Sequence, residues 1–364
     1  MLLLAALAAG ASEPGDLKTR LEAGFVPPDW LAATSIPFQD EELTATNRFG
    51  LTIWSKLAAF EADSTKFPQA VATVHRVAKL NRAPVFQAAC AQALAYDYEG
   101  MFADYARAFQ WYRELGALAA QTPQIHDPQN HNLRDTQRLA VLGMARCYAR
   151  LGAVPEAEAL LKRSTFRDWR ELFDLAVAYQ GLKDLRRSDA ALAAAMAAGA
   201  TRSVWDKLSA AGRGLILFYA NGNLEEVKRR LPAYQAAYQE LVRQEGSSKL
   251  PDHLSGLNAM VETIRRELDQ AGQVDLKRLR DGVFEGESPG FNQPIGVAVT
   301  VQNGTLSGIR ITRQQEKRCF NAPQVIPAEI LAQRSLRVDG VTGATVTSLA
   351  IENAVREALR PAQK

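Results

Sequence analysis

The fold class that the sequence predicts has two parts: an all-α array of helical hairpins, then a small α+β domain built on an antiparallel sheet. Three observations carry it. From residue 47 to 271 the chain is rich in Ala, Leu, Arg and Glu, and its apolar positions recur at helical spacing. Inside that stretch two segments repeat at a constant step. After "QAGQVD" (270–275) the pattern changes to alternating strands and a terminal amphipathic helix.

The chain starts "MLLLAALAAGASEPG", an apolar run followed by Ala9-Gly10-Ala11, a small-residue cleavage pattern. The run is shorter than the roughly 20 apolar residues a membrane span takes. Residues 1–11 therefore read as a truncated signal peptide without its basic region, and 12–46 as an N-terminal extension. Export to an extracytoplasmic, periplasmic compartment is the expectation. The 43 Lys plus Arg and 40 Asp plus Glu give a net +3 with no basic run, which argues against a nucleic-acid partner. Cys90, Cys147 and Cys319 are far apart, with no metal-ligand spacing. His126 and His131 in "IHDPQNH" lack a further ligand cluster, so that segment reads as a polar interhelix loop and no metal site is expected.

In the helical part (47–271), "ARCYARLGAVPEAEALLKR" overlays "AVAYQGLKDLRRSDAALAA". Ala145 matches Ala176, Tyr148 matches Tyr179, Leu151 matches Leu182 and Ala159 matches Ala190, a step of 31 residues. "FYANGNLEEVKRRL" (218–231) repeats the aromatic, the short turn and the second helix, and "YARAFQWYREL" (105–115) reads as the second helix of another pair. Small Ala residues let paired helices approach, and Gly or Asn permits the turn. The array resembles tetratricopeptide repeats, whose period is ~34 residues, but lacks their Trp-Leu-Gly opening. A stack of this kind implies a concave face for a partner protein. One more helix is expected over 254–271, after the loop "QEGSSKLPD".

The C-terminal domain (279–361) begins with "GVFEGES" and "PIGVAVTVQNGTLSGIRITRQ". Asn303-Gly304 between two alternating apolar runs is a hairpin signal, because a type I′ turn needs positive φ at both central residues. Val297, Val299 and Val301 fall on one face, and Ile309 and Ile311 on one face of the returning strand. A short helix is expected over 328–333, begun after Pro327, and a terminal helix over 348–359. Just ahead of that terminal helix stands "VDGVTGATVTS" (338–348).

The ordered set "DGVFEG…GFNQPIGVAVTVQNGTLSGIRI…EK…IPAEILAQRSLRVDGVTGATVTS…AIENAVREAL" resembles the FMN-binding domain found in the C subunit of sodium-pumping NADH:quinone reductase and the G subunit of the Rnf complex. The likeness covers roughly the last 85 residues and is silent about the array. In that family a dedicated flavin transferase esterifies the FMN phosphate onto the Thr of an Asp-x-x-Ser/Thr-Gly-Ala-Thr sequence. The resemblance implies that Asp339, Thr342, Gly343 and Ala344 form the recognised motif and that Thr345 carries covalent FMN. It places Glu316 in a loop that approaches the flavin. The Lys317, Arg318 and Cys319 that follow depart from the family's Thr-Pro-Gly. Gly290, Pro294 and Gly296 fit the turn before the family's strand.

The chemistry of the residues agrees. A threonine ahead of a helix start puts a phosphodiester near unsatisfied N–H groups and the positive end of the helix dipole. Gly343 and Ala344 leave room for the modifying enzyme, and Thr347 and Ser348 are suitable N-caps. The plain alternative is that these hydroxyls only cap the helix. No substrate-side acid, base or nucleophile is evident, so the chain reads as an electron-transfer module rather than a complete enzyme. The expected function is an exported flavoprotein electron carrier, docked by its array to a redox partner that is membrane-associated. The alternatives are a helical-repeat scaffold whose C-terminal domain carries no flavin, and an FMN-dependent reductase of a small molecule.

Overall fold

The computed structural model describes residues 24–47, 50–61, 63–121, 136–246, 249–269, 274–290, 293–316, 321–338, 340 and 344–363, with Leu17, Thr19 and Leu21. The apolar start of the chain and the segment holding His126 and His131, expected as a polar interhelix loop, lie outside them. Two short helices, α1 (Asp29–Ala33) and α2 (Asp40–Thr44), and a small strand pair, β1 (Thr46–Asn47) with β2 (Gly50–Leu51), precede α3 (Ile53–Glu61) and α4 (Phe67–Leu80). Hairpins then follow one another: α5 (Pro84–Gly100) with α6 (Tyr105–Gln121), α7 (Thr136–Arg150) with α8 (Val154–Lys162), α9 (Trp169–Gly181) with α10 (Leu185–Ala200), and α11 (Val204–Ala220) with α12 (Leu224–Glu245). Helix α13 (Asp252–Asp269) packs on α11. Among the described residues no helix is long and apolar enough to cross a membrane.

The repeats share a turn. In three successive hairpins the N–H just before the second helix bonds back to the carbonyl of an aromatic residue: Ala153 to Tyr148 (2.9 Å), Asp184 to Tyr179 (3.0 Å) and Asn223 to Phe218 (2.9 Å). The residue before that N–H is left-handed each time, with φ of 81° at Gly152, 59° at Lys183 and 77° at Gly222. Glycine adopts that conformation freely, whereas a lysine does so under strain. Because the hairpins stack, the three turns lie in a row along one edge of the array.

The C-terminal sheet is antiparallel in the order β3 (Gly282–Ser288), β4 (Ile295–Gln302), β5 (Thr305–Arg313). Asn303 and Gly304 both have positive φ, as the expected turn requires, and the Asp281 carboxylate accepts their N–H groups at 3.0 and 2.7 Å. Val297, Val299 and Val301 are buried beneath α15 (Thr345–Leu359), which packs on β3 and β4. Gly286 of β3 lies so close to α15 that a Cβ there would overlap the Ala354 carbonyl and the Ala358 backbone.

Two helix starts differ from expectation. α14 spans Ala322–Gln333, not 328–333, with Pro323 in its first turn and Pro327 inside. Burial of Ala322, Ile326 and Ile330 against the sheet and α15 holds the turn that Pro327 cannot bond. α15 opens at Thr345 rather than Ser348.

The apolar interior does not divide where the pattern of the sequence changes. One core joins Leu17 through Cys147. Another runs from Trp169 through α11 and α13 into the sheet and α15, as far as Ala362.

Candidate functional site

The N-terminus of α15 is the centre of the site. Its N-cap is Ala344, which has no side-chain acceptor, and the first intrahelical bond runs from Ser348 N to Ala344 O (2.8 Å). The N–H groups of Thr345, Val346 and Thr347 therefore have no acceptor within the helix. An anion is the natural complement of such an end.

Thr347 and Ser348 do not cap α15, because both lie inside it. Thr347 is 7% exposed and its Oγ1 donates to Glu316 Oε2 at 3.1 Å. Glu316, itself 4% exposed, takes its own N–H into Gln314 Oε1 (3.0 Å) and lies against Gly290, where a Cβ would overlap Glu316 Oε1. Gly290 in turn closes the turn before β4 by donating to Gln293 O at 3.2 Å. Three positions read separately in the sequence, Gly290, Glu316 and Thr347, thus form one contact that locks the first turn of α15. Asp339, Thr342, Gly343, Lys317, Arg318 and Cys319 lie outside the described residues. The backbone of Thr345 is the first turn of the helix; its side chain also lies outside the description.

The array reaches this site. Arg150, at the end of α7, donates from Nη2 to Gly340 O at 2.8 Å. Arg337 lies 5.5 Å over the Tyr219 ring, and Arg356 of α15 pairs with Glu267 of α13 at 3.2 Å. Between the two parts is a cleft of about 210 Å³. Its array wall is the row of turns: Arg150, Gln180, Lys183 and Asn221, with Val177 and Tyr219 behind. Its other wall is Arg337, Gly340 and the Ser348, Leu349 and Glu352 face of α15. Gln180 Nε2 donates to Asn221 Oδ1 (2.9 Å), and Asn221 Nδ2 to Asp189 Oδ1 (2.8 Å), which holds adjacent turns together.

The cleft holds cations on both sides and one carboxylate. Burial raises the Glu352 carboxyl to about 7, against the opposing pull of Arg356 and of the Val338 N–H, which it accepts at 3.2 Å. Glu352 thus exchanges a proton near neutrality. None of Arg150, Gln180, Lys183 or Glu352 stands out in the sequence as a site residue. The one available signal is the 31-residue step, which sets Lys183 against Gly152 of the preceding hairpin.

The donors present suit a phosphate ester at the head of α15. Uncapped N–H groups face that end, and Gly340 leaves open beside Ser348 the space that a Cβ would occupy. No curated protein and no solved structure matches the chain. Residues 290–360 match the model of the FMN-binding domain family, so the C-terminal part of this chain is an FMN-binding domain.

Proposed function

We propose that this protein is an exported flavoprotein electron carrier whose FMN is ester-linked through its phosphate to Thr345. The observation that carries the reading is the uncapped start of α15 at Thr345 within a matched FMN-binding domain. FMN supplies one- and two-electron redox chemistry when bound. The chain's own residues hold and tune it. The N–H groups at the head of α15 and the helix dipole stabilise the phosphodiester. The Glu316–Thr347 bond keeps that first turn in place and occupies the rival hydroxyl, leaving position 345 for attachment. Arg150 fixes the backbone at Gly340, one residue after the motif's Asp339. A tether suits export, since a covalent cofactor is not lost outside the cytoplasm. Maturation then calls on a flavin transferase, and the array docks the carrier to a membrane-associated redox partner.

Mass spectrometry of protein made with and without the flavin transferase tests the attachment. The expected result is an FMN-sized increase on the peptide holding Thr345, present only with the transferase, and none in Thr345→Ala, whose thermal unfolding is unchanged. Labelling that persists in Thr345→Ala moves the tether to another hydroxyl. An unlabelled wild-type peptide favours the flavin-free scaffold.

A further inference from the structure

We infer that the cleft between the row of array turns and α15 receives the isoalloxazine ring of the FMN, making the helical array one wall of the cofactor site. The inference rests on the attachment at Thr345 proposed above. Residues three, four and seven apart share a helix face, so position 345 lies on the same stripe of α15 as Ser348, Leu349 and Glu352. Those three line the cleft. At about 1.5 Å of rise per residue, Leu349 and Glu352 stand about 6 and about 10 Å along the axis from position 345, a span the ribityl chain between phosphate and ring covers. Thr347 belongs to another face, against Glu316, and leads away from the cleft.

The lining suits a flat ring with polar edges. Val177 offers apolar surface to one of its faces and the buried Leu349 closes the floor, while Arg337 and the second N–H of Gln180 Nε2, whose first holds Asn221, offer donors to its edge. Lys183 and Arg337 also supply positive charge where reduced flavin gathers negative charge. Lys183 keeps its side chain at φ 59°, in a turn whose counterparts at Gly152 and Gly222 use glycine. Arg150 ties the same wall to Gly340, so the two halves of the cleft are fixed to each other.

The test uses full-length holoprotein produced with the flavin transferase, as wild type, Lys183→Gly and Gln180→Ala. Glycine suits the left-handed turn, so the first variant removes the charge without opposing the fold. All three are expected to carry the same FMN mass. Iodide should quench flavin fluorescence more readily in both variants than in wild type. In Lys183→Gly the midpoint potential should fall by the equivalent of roughly tenfold in the ratio of reduced to oxidised flavin, the order expected for one charge several ångströms away at an effective dielectric of about 20. Equal quenching and equal potential in all three proteins at full FMN occupancy overturns the inference and leaves the attachment standing. Wild-type protein without FMN mass overturns the attachment itself.

Discussion

Lys183 shows how one residue can be legible in sequence and still pass unnoticed. "RLGAVP", "GLKDL" and "ANGNL" align as turns, yet only the structure shows that Lys183 sits at the left-handed position filled by Gly152 and Gly222. Replacing it with glycine relieves a left-handed side chain, and denaturant unfolding should report a gain of about 0.5–1 kcal/mol. A loss would mean that the lysine stabilises the turn by contacts that outweigh its strain. Thr347 teaches the converse. Its hydroxyl looked like a helix cap because the first turn of a helix and its N-cap share a residue preference, and only the bond to Glu316 reveals that it faces inward. The motif, not the local geometry, singles out Thr345 as the proposed tether.

Elements were read more fully than their ends. Helix period and the 31-residue step located the hairpins, and Asn303-Gly304 located the strand turn. The starts of α14 and α15 were misplaced for one reason: burial against the sheet outweighs what Pro327, Thr347 and Ser348 prefer locally. Three helices of the array are joined by a group that periodicity cannot show. Arg146 of α7 makes a two-pronged pair with Glu99 of α5 at 2.9 and 3.0 Å, and Tyr112 of α6 donates to the same carboxylate at 2.6 Å. All are buried, so Arg146→Met strands a carboxylate in the interior and should reduce stability by about 3–5 kcal/mol. The double variant Glu99→Gln, Arg146→Met should recover much of that loss in the same denaturation experiment. Failure to recover would show that Arg146 matters through packing and not through its charge.

At the scale of the whole molecule, the junction between array and C-terminal domain has a pH signature. Burial holds the folded Glu352 carboxyl at about 7, above the ordinary value of 4.5 that it regains on unfolding. A raised acid stabilises the fold fully below about pH 4.5, and that contribution drains away as pH rises through 7. The loss amounts to up to about 3 kcal/mol. Glu352→Gln keeps the acceptor for Val338 N–H and cannot ionise. Its stability relative to wild type should therefore rise from pH 4.5 to 7 and then level off; a flat difference across that range would place the ionised carboxylate in a well-solvated setting. His75 has the opposite sign, since burial lowers it to about 4 and its contribution is lost as pH falls from 6.5, so only the difference between variant and wild type isolates Glu352. The amphipathic pattern of α15 does not announce this junction, because Glu352 and Arg356 read as its polar face and yet pack against the array. The division of the cores has its own outcome. The two large cores are bridged near α7 and α8 by a small cluster of Leu142, Ala145, Ala157, Leu161 and Ala178, while α9 to α13 share their core with the sheet. The number of hairpins is thus constrained on both sides of α7. Losing the hairpin before α7 would strand the buried Arg146 and remove the Gly100 carbonyl that accepts the Asn321 N–H at 2.9 Å, and any change in number between α9 and β3 would break the bed on which the C-terminal domain rests.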